Sequence, residues 1–83
     1  MCIYERMFHL SRELNVQLML ISTWDGKIEF EVFDWEDLIG TITYHVADDS
    51  YHVDPVMEHG YGGEFKRFEQ VQGFLKGVVD QRR

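Results

Sequence analysis

The feature of this sequence that most restricts the fold is the dipeptide Asp25-Gly26, which lies between two apolar-rich runs. Both turn positions tolerate positive φ, so this pair is a strong short-range signal for a β-hairpin. Centring the turn there predicts one apolar face, formed by Thr23 with Ile28, Ile21 with Phe30 and Met19 with Val32. The other face is predicted to be mixed, with Trp24 beside Lys27, Ser22 beside Glu29 and Leu20 beside Glu31.

Helical periodicity is found at both ends of the chain. A first apolar stripe predicts a helix over residues 3–14, and Asn15 is suited to end it. A second stripe predicts a closing helix from about Glu64 to Gln81. The residues of the two stripes are Ile3, Met7, Leu10 and Leu14, and then Phe65, Phe68, Val71, Leu75, Val78 and Val79.

The middle of the chain predicts two further strands, from about Ile39 to Val46 and from about Tyr51 to Val56. We expect Asp48-Asp49 to form the turn between them and Pro55 to end an edge strand. Residues 33–37 are predicted to turn the chain with Asp34 exposed or partly exposed, and residues 59–63 to form a flexible loop. The predicted order is therefore α-β-β-β-β-α, an α+β single domain over residues 1–83 with an antiparallel meander and helices packed on the sheet.

Length and composition exclude several classes of protein. With 45% hydrophobic residues the chain is too apolar for a disordered tail, and one cysteine cannot build a disulfide scaffold or a cysteine-based zinc finger. No apolar run approaches the ~20 residues of a membrane span, so we expect a cytoplasmic protein without membrane contact. A chain of 83 residues has a small core. This favours a binding module over an enzyme, and we expect neither catalytic residues nor a cofactor.

Negative charge is concentrated in one part of the chain. Residues 28–65 contain ten carboxylates and no lysine or arginine, whereas acidic and basic residues balance over 1–27 and basic residues predominate over 66–83. Carboxylates two apart on one strand stand roughly 6.6–6.8 Å apart. This spacing is similar to that of phosphates along a nucleic-acid strand. The residues we predict to contact a partner are Glu29, Glu31, Asp34, Trp35, Glu36, Asp37, Asp48 and Asp49.

Such a surface favours a partner protein with a basic face, plausibly one that handles nucleic acid, and disfavours direct binding to nucleic acid. In size and charge the chain resembles small acidic phage or mobile-element inhibitors, including anti-CRISPR proteins, and also antitoxins and immunity proteins. The alternative interpretation is an acidic surface that serves solubility alone. The α-β-β-β-α part of the order is similar to the double-stranded RNA-binding fold, in element order only.

A histidine pair is the best candidate for chemistry. A hairpin centred on Asp48-Asp49 places His45 opposite His52, with Thr43 facing Asp54. His45, His52 and Asp54 would form a ligand set for Zn²⁺ or another divalent metal, and His59 would add a ligand from the loop. The alternative function is therefore a small metal-dependent enzyme or a metal sensor. The competing interpretation is two solvated surface histidines. A third possibility is a homo-oligomeric structural subunit that pairs through the Pro55-bearing edge strand or a helix face.

Overall fold

The computed structural model describes residues 2–56 and 61–83, which form an α+β fold. The order is α1 (Ile3–Leu14), β1 (Gln17–Trp24), β2 (Lys27–Asp34), β3 (Asp37–His45), β4 (Ser50–Pro55), β5 (Gly63–Phe65) and α2 (Phe68–Arg82). The strands form one antiparallel sheet in the order β1-β2-β3-β4-β5, so each strand pairs with its neighbours in the chain. The predicted fold class and element order are confirmed, with a short fifth strand added before α2. Pro55 ends β4 as predicted, but β4 is not the predicted edge strand, because β5 pairs with it on the side away from β3.

Both helices pack on the same face of the sheet. Their buried residues and those of the strands form one continuous cluster, and the two helices also contact each other. The opposite face of the sheet carries no helix in the part of the chain that the structure describes. The buried apolar residues are Ile3, Met7, Leu10, Leu14, Val16, Phe30, Val32, Ile39, Ile42, Tyr51, Val53, Val71, Leu75, Val78 and Val79.

The helix α1 has the predicted bounds because its apolar residues recur on one face and its last turn is closed by Asn15. Asn15 adopts the left-handed conformation at φ 56°, and its N–H donates to the carbonyl of Ser11. This conformation reverses the chain within two residues. The hydroxyl of Ser11 also donates to the carbonyl of Val16 at 2.5 Å, which fixes the entry into β1.

The first hairpin turns at Asp25-Gly26, where both residues have positive φ as a two-residue hairpin loop requires. The predicted register is confirmed next to the turn, where Thr23 pairs with Ile28 and Ser22 pairs with Glu29. Further from the turn it is wrong.

A β-bulge at Ile21 changes the rest of this register. The bulge inserts one extra residue into β1, so Leu20 pairs with Phe30 and Met19 with Glu31. The predicted pairings of Ile21 with Phe30, Met19 with Val32 and Leu20 with Glu31 are therefore wrong. Because side chains alternate along a strand, the extra residue moves Leu20 to the helix face and Met19 to the opposite face.

The hairpin of β3 and β4 is also shifted relative to the prediction. Its loop is centred on Ala47-Asp48 rather than Asp48-Asp49, and Asp49 takes the left-handed conformation at φ 49°. His45 therefore pairs with Ser50 and not with His52. In the same register Thr43 pairs with His52 and Thr41 with Asp54, so the predicted pairing of Thr43 with Asp54 is wrong as well.

The closing helix begins four residues later than predicted, at Phe68. The preceding residues Glu64 and Phe65 belong to β5, which pairs with β4. The Phe65 ring lies 5.5 Å from the ring of Phe74, so it packs between the sheet and α2 instead of inside the helix. The predicted loop at 59–63 lies partly outside the described residues, and Gly63 belongs to β5.

Asp34 joins the end of α2 to the turn between β2 and β3, in a group of contacts that we call the arginine clasp. The carboxylate of Asp34 accepts hydrogen bonds from Arg82 Nε at 3.2 Å and from Arg83 Nη2 at 2.8 Å. Arg82 also donates to Asp37 at 2.6 Å, and Arg83 donates to the carbonyl of Asn15 at 3.2 Å. One buried carboxylate thereby ties α2 to the sheet and to the end of α1.

The prediction that Asp34 is exposed is wrong, since only 5% of its surface is accessible. The hydrogen bond from Arg83, followed by that from Arg82, holds the pKa of the Asp34 carboxyl below its usual value, although burial opposes this. A carboxylate with a lowered pKa contributes stability above the pKa of the unfolded side chain, about 3.9. That contribution is lost as the pH falls through the lower pKa of the folded state.

Replacing Asp34 with asparagine tests the arginine clasp. Hydrogen bonds to charged groups contribute about 1.5–3 kcal/mol, so we expect Asp34→Asn to lower the free energy of unfolding at pH 7 by about that amount. Urea unfolding of both proteins at pH 7 and at pH 3 measures the free energy of unfolding. The difference in this free energy between Asp34→Asn and the wild type should be smaller at pH 3. Glu36→Gln, at an exposed neighbour, should change stability by less than about 0.5 kcal/mol. Equal effects of the two variants would contradict a structural role for the clasp.

Candidate functional site

The surface of the sheet opposite the helices, which we call the open face, carries most of the candidate residues. Glu29 lies beside Thr43, which lies beside His52. These residues alternate along their strands with buried Phe30 and Val53, so they point away from the helices. The centre of the open face consists of Glu29, Glu31, Thr41, Thr43, His52, Asp54 and Glu64.

Four carboxylates give the open face its charge. Glu29 and Glu31 lie two residues apart on β2, a separation of roughly 6.6–6.8 Å along a strand. His52 lies between the other two, with Nε2 3.5 Å from Asp54 Oδ2 and Nδ1 4.0 Å from Glu64 Oε1. Within the described ranges, no lysine or arginine nitrogen lies within 4.0 Å of any of the four. Among the described residues, the four carboxylates therefore form no direct ion pair with lysine or arginine, and the nearest cation along β2 is Lys27, two residues before Glu29 on the same face.

The edges of the open face contain aromatic and apolar side chains. Trp24 is 60% exposed, and the ammonium group of Lys27 lies 5.5 Å from the centre of its ring. Met19 is exposed beside Glu31 because of the bulge in β1. Exposed tryptophan and methionine side chains are enriched where proteins contact one another.

Three of the predicted contact residues make ion pairs within the chain. Asp34 and Asp37 belong to the arginine clasp. Asp49 accepts hydrogen bonds from the hydroxyl of Tyr44 at 2.6 Å and from the guanidinium of Arg6 at 3.2 Å. The bond from Tyr44, and then that from Arg6, lowers the pKa of the Asp49 carboxyl. These three carboxylates therefore contribute less free charge than the sequence alone indicates.

The remaining predicted residues are exposed at the two ends of the sheet. The turn between β2 and β3 is formed by Trp35 and Glu36. The side chain of Trp35 is 80% exposed, and its backbone has a positive φ of 61°. Asp48 lies in the turn between β3 and β4, at the other end. The structure thus places Glu29 and Glu31 together on the open face. The exposed turn residues Trp35, Glu36 and Asp48 lie apart from them, at the ends of the sheet.

Asp54 and Glu64 complete the open face, and the prediction did not include them among the partner-contacting residues. The sequence predicts Asp54 only as a metal ligand and places Glu64 at the start of the closing helix. The alternation of side chains along β4 was the available signal for Asp54. Glu64 had no local signal, because its position depends on pairing with His52 across the chain.

The proposed metal site does not form as predicted. His45 and His52 occupy the same face but lie diagonally, since His45 pairs with Ser50. Across residues 2–56 and 61–83, no group of three or more histidine, cysteine, aspartate or glutamate side chains is placed to hold a metal ion. His59 lies outside the described residues.

A surface cleft of about 590 Å³ lies on the helix side, between α1 and the start of α2. Three cationic side chains and three carboxylates line it, so it has no net preference for ligands of either charge. The guanidinium of Arg6 also donates to the hydroxyl of Tyr51 at its floor. The charged lining residues are Arg6, Lys66, Arg67, Glu13, Asp49 and Glu69.

Comparisons with known proteins leave the function open. The chain matches no protein-family model, and neither a curated protein nor a solved structure matches it. Neither described helix has the length and apolar character needed to cross a membrane. The candidate function therefore depends on the geometry of the open face.

Neutralising two carboxylates of the open face should stabilise the fold at low salt. Two like charges about 6.7 Å apart repel by about 0.6 kcal/mol in water. We expect Glu31→Gln/Asp54→Asn to raise Tm by about 2–5 °C at low ionic strength. Glu29 is left in place because Lys27, two residues before it on the same face of β2, attracts its carboxylate. This gain should disappear near 1 M salt, where the screening length is about 3 Å. Thermal unfolding followed by circular dichroism at several salt concentrations measures it.

The matched control removes two carboxylates from the helices. Glu5 and Glu69 lie in the first turns of α1 and α2, where negative charge is favourable. Glu5→Gln/Glu69→Gln should therefore lower Tm, although the net charge changes equally. If both double variants raise Tm by the same amount, the effect is one of net charge and not of the open face.

Proposed function

We propose that this protein is a binding module whose open face engages a basic surface of another protein. The observation that carries this proposal is the position of Glu29, Glu31, Asp54 and Glu64 on the sheet face that the helices leave uncovered. The chain's nearby arginines are used elsewhere, in the arginine clasp and in the pair between Arg6 and Asp49. The open face thus offers several negative charges to an external partner.

The rigidity of the sheet supports this role. Glu29 and Glu31 belong to β2, which is paired on both sides by β1 and β3, so their backbone positions are fixed before a partner arrives. A preformed array of charge raises the rate of association with an oppositely charged protein and sets its orientation. It also lowers the entropic cost of binding, because less of the surface must be ordered.

The partner class we propose is a protein that binds nucleic acid through lysine and arginine. The spacing of Glu29 and Glu31 along β2 is similar to that of successive phosphates, so the open face would occupy a phosphate-binding groove. Exposed Trp24 would add an anchoring contact at its margin. The result would be inhibition by competition with nucleic acid, in the cytoplasm.

Affinity capture with a charge-reversed bait tests the proposal. Wild-type protein on a resin at low salt should recover a basic partner, whereas Glu29→Lys/Glu31→Lys should not. Reversal at these positions breaks no ion pair with lysine or arginine in the described chain, so the variant should keep the fold. With the purified partner, reversal should lower the association rate constant by about tenfold or more, and the wild-type rate should fall steeply with salt.

The control bait is Glu13→Lys/Asp80→Lys, which makes the same change in net charge on the helix side. Both residues are exposed and lie towards the C-terminal ends of their helices, where positive charge is favourable. Because Glu13 accepts a hydrogen bond from Gln72 of α2 at 3.1 Å, circular dichroism verifies that this control is folded. This control should bind like the wild type, and the partner's nucleic acid should displace the wild-type protein. Equal loss in both double variants would attribute the binding to net charge alone, and recovery of no basic partner by the wild type would overturn the proposal.

A further inference from the structure

The outer edge of the sheet at β1 has an unusual composition for an exposed edge. β1 is terminal in the strand order, so its outward backbone groups pair with no strand of residues 2–56 and 61–83. Its eight residues, Gln17–Trp24, include no charged residue and no proline. Edge strands are commonly protected by lysine, proline or inward-pointing charge, and here the bulge at Ile21 is the device present.

Exposed apolar side chains surround this edge. Met19 is 56% exposed, Leu20 47% and Ile21 43%, while Phe8 on the neighbouring helix α1 is 59% exposed. A groove of about 290 Å³ runs between α1 and β1. Its lining is almost entirely apolar and consists of Tyr4, Met7, Phe8, Ser11, Leu18, Leu20 and Phe30.

We propose that β1 pairs in antiparallel fashion with β1 of a second copy of this chain, so that the two sheets continue into each other. In a two-fold dimer the same edge is used by both copies, and Phe8 of each α1 would cover the groove beside the other copy's β1. This inference concerns a different part of the molecule from the carboxylates of the open face, because it uses the backbone edge of β1 and the groove beside α1. The two surfaces share only their margin at Met19, which lies opposite Glu31.

The distribution of charge favours a second copy as the occupant. Two molecules of net charge −7 repel over most of their surfaces, but acidic and basic residues balance over residues 1–27, which contain α1 and β1. The edge is therefore where two copies approach with least repulsion. A basic partner would instead be drawn to the open face.

The distance between the two open faces allows this pairing. Glu29 lies on β2, so three strand spacings, roughly 14 Å, would separate it from the β2 strand of the other copy. This exceeds the screening length of about 8 Å at physiological ionic strength. β1 thus acts as an uncharged spacer between two acidic surfaces.

The bulge defines which part of β1 is suited to pairing. Ile21 interrupts the regular ladder with β2, whereas Gln17–Leu20 is regular. We expect the two-fold axis to lie in that segment, which also borders the groove at Leu18 and Leu20. The bulge would reduce the number of registers in which two β1 strands can pair. It would also prevent the hydrogen bonds between them from continuing along the whole of β1.

Sedimentation equilibrium on the full chain, from micromolar to millimolar concentration, tests the dimer. The wild type should show a reversible monomer–dimer equilibrium. Phe8→Glu and Met19→Lys, each introduced singly, should raise the dissociation constant by about tenfold or more. The control Tyr61→Glu, at a 96% exposed aromatic residue beside the opposite edge, should leave the constant unchanged.

Both variants are designed to keep the monomer folded. In Phe8→Glu the new carboxylate lies one helical turn before Arg12, and in Met19→Lys the new ammonium lies beside Glu31, so each gains a favourable neighbour. Unchanged circular dichroism spectra at low concentration verify this. A monomeric wild type, a dimer retained by both variants, or equal weakening by Tyr61→Glu would each overturn the inference. Capture of a basic partner by the wild-type protein, at concentrations where that protein is monomeric, tests the proposed function separately from the dimer.

Discussion

Burial on one side of the sheet is the constraint on which the rest of this structure depends. The apolar stripes of α1 and α2 cover the same face, where they enclose Phe30, Val32, Ile42 and Val53. Residues 2–56 and 61–83 form no further helix that covers the other face, so the exposed side chains there are compatible with water. Alternation along the strands then places threonines, histidine and carboxylates there. The proposed binding surface is thus a direct consequence of how the core is built.

The same constraint divides the acidic residues into two groups with different roles. Asp34, Asp37 and Asp49 lie at the strand ends within reach of Arg82, Arg83 and Arg6, and their charge stabilises the fold. Those of the open face lie on β2, β4 and β5 and form no ion pair with an arginine among the described residues, so we expect their mutual repulsion to cost stability. Such repulsion opposes folding, so its presence agrees with the proposed binding role of the open face.

Local patterns predicted the elements of this fold but not their long-range pairing. The bounds of α1, its end at Asn15 and the turn at Asp25-Gly26 depend on neighbouring residues, and all three are confirmed. The bulge could not be predicted, because Leu18, Met19, Leu20 and Ile21 are all apolar and show no alternation that would fix a register. Residues 47–49 are all compatible with a turn, so the sequence does not fix the centre of the hairpin between β3 and β4, and the predicted centre is one residue too late. The burial of Asp34 depends on arginines nearly fifty residues away, and a local pattern contains no information about them.

Carboxyl footprinting by mass spectrometry tests most directly the claim that the acidic residues form two groups. With a carbodiimide and an amine at neutral pH, Glu29, Glu31, Asp54 and Glu64 should be modified rapidly in the native protein, and Asp34 only after unfolding. A bound partner should then protect the open-face carboxylates and leave Glu13 and Asp80 unchanged. Rapid native modification of Asp34, or slow modification of Glu29 and Glu31 in the free protein, would contradict the arrangement described above.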